Sequence, residues 1–266
     1  MNPSDVLDVE QSGPVRVLTL NRPHRRNALD AALIDAVDAA LTDAETDPDT
    51  QAIVLRGAGR SFCAGADLRY LLDLGADGAT PTAFLRTVSA LATRLETSSL
   101  PIVAELHGHA VAGGIELALA CDIVVAADST LIGDGHIRNN LMPAAGAAVR
   151  MPHVLGQATA RRLALTGELM RADHLAATSA GWPHEVVPES EVTAAALRIA
   201  HTLTDAHGPA QTAYKRLLAR TPTMSAPDAL ALELEVFAQH WTTHDVATAL
   251  RKFVNRPTHS RTEQPA

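Results

Sequence analysis

His109-Ala110-Val111-Ala112-Gly113-Gly114-Ile115-Glu116-Leu117 opens as a short apolar run, passes through small residues and continues as a helix. A strand feeding through such a turn leaves the first backbone N–H groups of the helix without partners, and those groups can hold a developing negative charge. A second passage of the same kind is Ser61-Phe62-Cys63-Ala64-Gly65-Ala66-Asp67-Leu68. Either turn alone is also what tight helix–strand packing requires; it is the two together, in this order, that carry information.

Outward from these turns, strand, turn and helix recur. Residues 6–9 and 15–20 are β-branched runs around Ser12-Gly13-Pro14 and predict an N-terminal hairpin. Asn27 is placed to cap a helix whose apolar residues Leu29, Leu33, Ala36, Val37, Ala40 and Leu41 recur at helical spacing before Pro48. The run 52–57, too short for a helix and too apolar for an edge, predicts a buried strand. Helices are expected over 67–74 and 81–95, then a strand over 102–106, a helix from Gly113 to Cys121, and short strands over 123–127 and 130–132. Past Pro143 the pattern turns helical, over 147–155, 158–165, 172–180, 192–203, 210–219, 229–240 and 244–253, with one strand candidate at 184–187. The expected organisation is an α/β core over residues 1–190 and a helical C-terminal segment over 191–266.

A chain of 266 residues, 47% hydrophobic and 20% charged, can bury a sizeable core. Its 30 acidic against 22 basic residues, with no Lys/Arg cluster, argue against nucleic acid as a partner. Cys63 and Cys121 lie far apart and offer no disulfide framework, which suits a reducing compartment. The opening residues show neither the basic nor the apolar region of a signal peptide. No apolar run reaches the roughly 20 residues that span a bilayer. The longest candidate, 103–126, is interrupted by Glu105, His107, His109, Glu116 and Asp122. A soluble cytoplasmic protein without a membrane partner is expected.

Several common sites have no fingerprint here. Neither G-x-G-x-x-G nor G-x-x-x-x-G-K-[ST] occurs. Gly59-Arg60-Ser61-Phe62-Cys63 approaches a nucleophile elbow but lacks its final glycine. His107-x-His109 lacks the third and fourth ligands of a zinc site, so no metal is expected.

Taken together, Asn21-Arg22-Pro23 with Asn27-Ala28-Leu29, the passage 61–68, and Ala112-Gly113-Gly114-Ile115-Glu116-Leu117-Ala118 with Cys121-Asp122 resemble the crotonase (enoyl-CoA hydratase/isomerase) superfamily. Gly156, Ala160-Arg161, Leu165-Thr166-Gly167 and Ala172 also fit its pattern, and the similarity runs from about residue 6 to 257. The resemblance implies a crotonase-like spiral of ββα units with a C-terminal helical trimerisation segment, hence a homo-trimer or hexamer. It also implies an acyl-CoA substrate, with no cofactor beyond the coenzyme A carried by that substrate. By motif match, the peptide N–H groups of Ala66 and Gly113 hold the thioester carbonyl. Arg26, Ala28, Ala64, Asp67, Leu68, Gly114 and Asp134 fall among the positions expected to bind the substrate. For Arg25 and Arg26 the alternatives are coenzyme A phosphates or a solvated charge pair.

Hydratases of this family resemble one another in using two glutamates. The first matches Glu116; the second position, twenty residues later in Ile132-Gly133-Asp134-Gly135-His136-Ile137-Arg138, is His136. Imidazole titrates near neutral pH and works as acid or base, so a Glu/His pair can still serve hydration. Glu116 on an otherwise apolar helix is costly to bury unpaired, which favours a functional role. A histidine here also resembles the β-diketone hydrolases, whose completing aspartate, nine residues further on, is Ala145 in this chain. Asp134, two residues before His136, is a substitute orienting carboxylate if the strand continues, or else a turn residue. The leading expectation is hydration of a 2-enoyl-CoA or dehydration of a 3-hydroxyacyl-CoA. Carbon–carbon hydrolysis and non-catalytic acyl-CoA binding remain open alternatives.

Overall fold

The computed structural model describes residues 5–255. It is an α/β structure in which the described chain divides between Gly208 and Pro209 into two compact units.

The first unit is organised by a six-stranded sheet in the order β1-β2-β3-β4-β6-β9. Its hairpin is β1 (Leu7–Ser12) and β2 (Val15–Leu20), with the first strand running three residues beyond the expected end. From β2 inward every pairing is parallel: β3 (Ala52–Gly57), β4 (Ile102–Leu106), β6 (Ile123–Ala127) and β9 (Glu185–Val187). A parallel sheet covered on both faces needs apolar residues at every strand position, which is why Ala52-Ile53-Val54-Leu55 reads as an unbroken run. Side chains alternate between faces. Leu18, Ile53, Leu55, Ile102, Ala104 and Val124 join the main core, and Val17, Val54, Val103 and Val125 join a second one.

The main core is closed by α1 (Ala31–Thr46) and α3 (Thr82–Thr97), among others. The second is closed by Val192, Ala195, Ala196 and Ala200 of α8 (Val192–Thr204). The sequence reading placed α8 in a C-terminal segment from residue 191. In the structure it packs with the core unit, because the far face of the sheet would otherwise be left bare.

A smaller sheet, β5-β7-β8, stands beside the large one and carries the site. It comprises β5 (His109–Val111), β7 (Leu131–Gly133) and β8 (Met170–Arg171). The strand expected to feed the turn ahead of Gly113 is β5; β8 has no counterpart in the sequence pattern, since two residues are too short to show alternation. Isolated parallel bridges Cys63↔Ala110 and Leu29↔Ala66 continue the β5 edge outward. Short α2 (Leu68–Leu74) and α4 (Gly113–Leu119) leave from this layer, and α5 (Ala147–Val154), α6 (Gln157–Thr166) and α7 (Ala172–Thr178) complete the unit. The second unit holds α9 (Gly208–Arg220), α10 (Ala226–Thr243) and α11 (Val246–Val254). No helix among the described residues is long and apolar enough to cross a membrane.

One expectation is corrected. The N-cap of α1 is Asp30, whose side chain accepts from Leu33 N, and not Asn27. Asn27, fully buried in a left-handed turn (φ +55°), clasps the chain instead. Its amide donates to the carbonyls of Ala58, Ser61 and Phe62, and its Oδ1 accepts from Arg22 N at 2.9 Å. Asn27→Ala leaves those buried groups unpaired and is expected to cost about 2–4 kcal/mol, read as a lower urea midpoint at constant slope.

Candidate active site

The smaller sheet brings two backbone amides together. Leu29 N donates to Gly65 O and Asp67 N donates to Leu29 O, each at 2.8 Å. That bridge turns the N–H of the intervening Ala66 away from Leu29, to a side where it meets no acceptor among the described residues. Gly113 is the first residue of α4, so its N–H is one of the donors a helix cannot satisfy internally. A Cβ on Gly113 would lie 3.6 Å from Ala66 N, which makes the two amides neighbours. Their closeness depends on Gly65, at φ +90°, where a Cβ would stand 3.0 Å from Gly113 N and 2.9 Å from the Ala112 Cβ. Ala112 itself is held at φ +52°, ψ −117°, a conformation that costs a non-glycine residue about 1–3 kcal/mol. Two hydrogen bonds of 3.1 Å oppose that strain: Ala112 N donates to Gly133 O, and Glu116 N donates to Ala112 O.

Glu116 lies one turn into α4, a helix whose seven residues are all buried. Its side chain is 3% exposed. Oε1 accepts from Ala145 N at 2.8 Å and Ala147 N at 2.9 Å, while Oε2 stands 4.0 Å from His136 Nε2. Burial pushes the carboxyl pKa up; the two amides and His136 pull it down without cancelling that effect, and Asp134 adds to the rise.

His136 arrives by strand pairing. Since β5 and β7 run parallel with Val111 opposite Gly133, the residues after Gly133 emerge beside the start of α4. The strand does not continue through Asp134 to His136. It ends at Gly133, and a turn at Gly135 leads into a single 3₁₀ turn, His136–Asn139. That turn sets His136 Nδ1 2.9 Å from Asp134 Oδ1. A buried carboxylate only accepts, so Nδ1 carries the hydrogen and Nε2 is turned to Glu116.

Glu116 and His136 border a cavity of about 130 Å³, together with Ala66, Gly113 and an apolar wall that includes Leu29, Leu68, Leu71, Leu85, Val88 and Met142. Ala64 and Leu68, expected at the substrate, also line it. Ala28, Asp67 and Gly114 do not. The Ala28 carbonyl accepts from Arg22 Nη1. Asp67 caps α2 and meets Arg22 Nη2 at 3.0 Å, and the same nitrogen reaches Asp30, the cap of α1, at 2.9 Å. Burial pushes the Asp67 carboxyl up, but Arg22 and the Tyr70 and Arg69 amides together bring it below its ordinary value. Gly114 is packed on Cys63, where a Cβ would fall 2.2 Å from the carbonyl oxygen.

Arg26 sits exposed in a left-handed turn; together with burial, the larger cause, its charge lowers the pKa of His109. His109 Nδ1 pairs with Ser61 Oγ at 3.3 Å, and His107 Nε2 with Gly59 O at 3.1 Å. Asp134, 1% exposed, stands behind His136 and is not on the cavity wall. Of α2, sequence reasoning finds Leu68 but misses Leu71, and it misses the wall contributed by α3, whose apolar spacing is that of any core-facing helix. It also missed the Ala145 and Ala147 amides, which no side-chain pattern reveals.

The chain and its fold have counterparts among known proteins. The family model described as enoyl-CoA hydratase/isomerase matches residues 10–263. A protein named probable enoyl-CoA hydratase from Mycobacterium bovis is 32% identical over 248 residues, covering 93% of this chain and 94% of that protein. The 2,3-dehydroadipyl-CoA hydratase of Escherichia coli is 32% identical over 253 residues, covering 95% and 96%. Among solved structures, an enoyl-CoA hydratase from Bacillus anthracis superposes with a TM-score of 0.88 at 26% identity, covering 95% of this chain and 97% of that one. The chain therefore belongs to the enoyl-CoA hydratase/isomerase family, with the crotonase fold. It is an enzyme of the hydratase/isomerase kind.

Gly65→Ala should force a Cβ against Gly113 N and Ala112 and so separate the two free amides. A loss of about 100-fold in kcat/KM for enoyl-CoA hydration is expected, on the scale of removing one such donor. Steady-state rates, with circular dichroism to verify folding, check it.

Proposed function

We propose that this enzyme adds water to a 2-enoyl-CoA, or removes it from a 3-hydroxyacyl-CoA, with Glu116 and His136 as its acid–base pair. One observation carries the reading: Glu116 and His136 face each other across 4.0 Å on the wall of an apolar cavity that also contains the Ala66 and Gly113 amides. The thioester oxygen accepts from those two N–H groups, which draws electron density from the β-carbon. Glu116, as carboxylate, takes a proton from water while the water oxygen bonds to the β-carbon. The alkene electron pair moves toward the thioester oxygen, and the resulting enolate takes the Nε2 proton of the His136 imidazolium at its α-carbon. Proton transfer from Glu116 to His136 then restores both groups. Asp134 orients the ring through its hydrogen bond to Nδ1.

The coenzyme A arrives with the substrate, and no further cofactor takes part. A hydrocarbon acyl chain fits the wall better than one ending in a carboxylate, since no Lys or Arg among the described residues lines the cavity. The relatives named as hydratases support the reaction type.

The test is hydration of crotonyl-CoA beside turnover of a free β-diketone and titration with coenzyme A thioesters. Glu116→Gln should lower kcat by at least about 100-fold while leaving ligand affinity within a few fold. Binding without turnover in the unaltered enzyme would sink the reading in favour of a non-catalytic homologue, and diketone cleavage in favour of a carbon–carbon hydrolase. The pH profile is a second check. A base must be deprotonated, so the rate rises with pH through the Glu116 pKa, and burial places that acid limb above the ordinary carboxylate range. His136→Gln removes the proton donor to the α-carbon and should abolish most activity at every pH.

The same reading extends to assembly. Leu230, Leu234, Phe237, Trp241 and Leu250 of the second unit are exposed, an apolar surface suited to contact between copies of the chain. A trimer or a dimer of trimers is expected by light scattering at micromolar concentration; a monomer would contradict it.

A further inference from the structure

Arg150 on α5 is largely buried, yet it is not on the cavity wall. Nη1 donates to the Ala145 carbonyl at 2.8 Å and Nη2 to Glu96 Oε2, from α3, at 2.7 Å. The Ala145 carbonyl belongs to the peptide joining Ala145 to Gly146. The peptides on either side of it supply the two N–H groups that meet on Glu116 Oε1. Two amides that flank one peptide can converge on a single oxygen only if that peptide turns its carbonyl outward, the arrangement of a backbone anion nest. The outward carbonyl is the one Arg150 grips. Gly146 makes the grip feasible: at φ +112° its position for a Cβ lies 2.0 Å from Nη1, so the guanidinium occupies space any other residue would fill.

We propose that Arg150, anchored by Glu96, is a positioning residue for the catalytic base, holding the Ala145–Gly146 peptide so that the Ala145 and Ala147 amides grip Oε1 and leave Oε2 toward His136. The inference rests on Glu116 being that base. Ordinary ties between α3 and α5 would stabilise the fold without touching the chemistry. This one is built onto the peptide unit that sets the direction of the base.

Full-length Arg150→Ala, Arg150→Lys, Glu96→Gln and Glu116→Gln are compared in crotonyl-CoA hydration over a range of pH. Arg150→Ala should lower kcat by about 100-fold, the scale of a misplaced reacting group, with KM nearly unchanged. The acid limb of kcat/KM should also move to higher pH, because Glu116 loses donors to its charged form while His136 and Asp134 still face it. Added guanidinium at millimolar concentration should restore part of the rate, and Arg150→Lys should fall between Arg150→Ala and the unaltered enzyme. Glu96→Gln weakens the anchor from the helix surface and should give a smaller loss in kcat with the same direction of limb shift. Should Arg150→Ala fail to fold, Arg150→Lys and Glu96→Gln decide by the same readouts. An unshifted acid limb, or a loss confined to KM, overturns the positioning role. Full activity in Glu116→Gln would remove the base itself and the proposal with it, whereas an inactive Glu116→Gln beside a fully active Arg150→Ala overturns the role of Arg150 alone.

Discussion

Burying one carboxylate on an apolar helix is the constraint around which this site is arranged. Glu116 is 2% exposed, and an isolated charge in such surroundings costs several kcal/mol unless hydrogen-bonded groups offset it. The offset comes from two places remote in sequence, the Ala145 and Ala147 amides and the ring of His136, and from the N-terminus of α4 on which Glu116 itself sits. Each of these needs its own support. The amides depend on a peptide turned outward at Gly146, the ring depends on Asp134, and the helix begins where strained Ala112 is pinned to Gly133.

The neighbouring pair of amides, proposed above as the oxyanion site, has a different logic. There the useful groups are amides that have been left unpaired, so the fold must satisfy everything around them while withholding an acceptor from two positions. Parallel bridging of Leu29 with residues 65 and 67 does this for Ala66, and the start of a helix does it for Gly113. Arg22 then ties the caps of α1 and α2 to one guanidinium, which holds the Ala66 turn against the layer that carries Gly113. Buried polar clasps such as Asn27 and Arg22 do not touch the cavity. They keep irregular backbone in a fixed place, which a catalytic donor requires and a hydrophobic core alone does not provide.

The amino-acid sequence by itself determined the α/β class, the parallel strands and most helices, because those depend on local runs and spacing: Ala52-Ile53-Val54-Leu55 is a strand covered on both faces, and Leu33, Ala36, Val37 and Ala40 share one helical stripe. The motif residues around 61–68 and 109–118 also marked the two turns, because the two passages occur together in one order, and marked Glu116, because a lone carboxylate on an otherwise apolar helix is costly to bury. Tertiary structure decided the rest. Whether Asn27 caps a helix or clasps a loop depends on which carbonyls the fold brings to it. Whether His136 faces Glu116 depends on the parallel pairing of β5 with β7, strands too short to carry a periodic signal. Asp134 reaches His136 through a turn and not along a strand face. The α8 helix belongs with the core because a parallel sheet needs cover on its second side, a demand that resides in the sheet and is invisible in the helix. The groups that hold the Glu116 carboxylate are backbone amides of alanines, identical in every alanine of the chain until the fold points two of them at one oxygen.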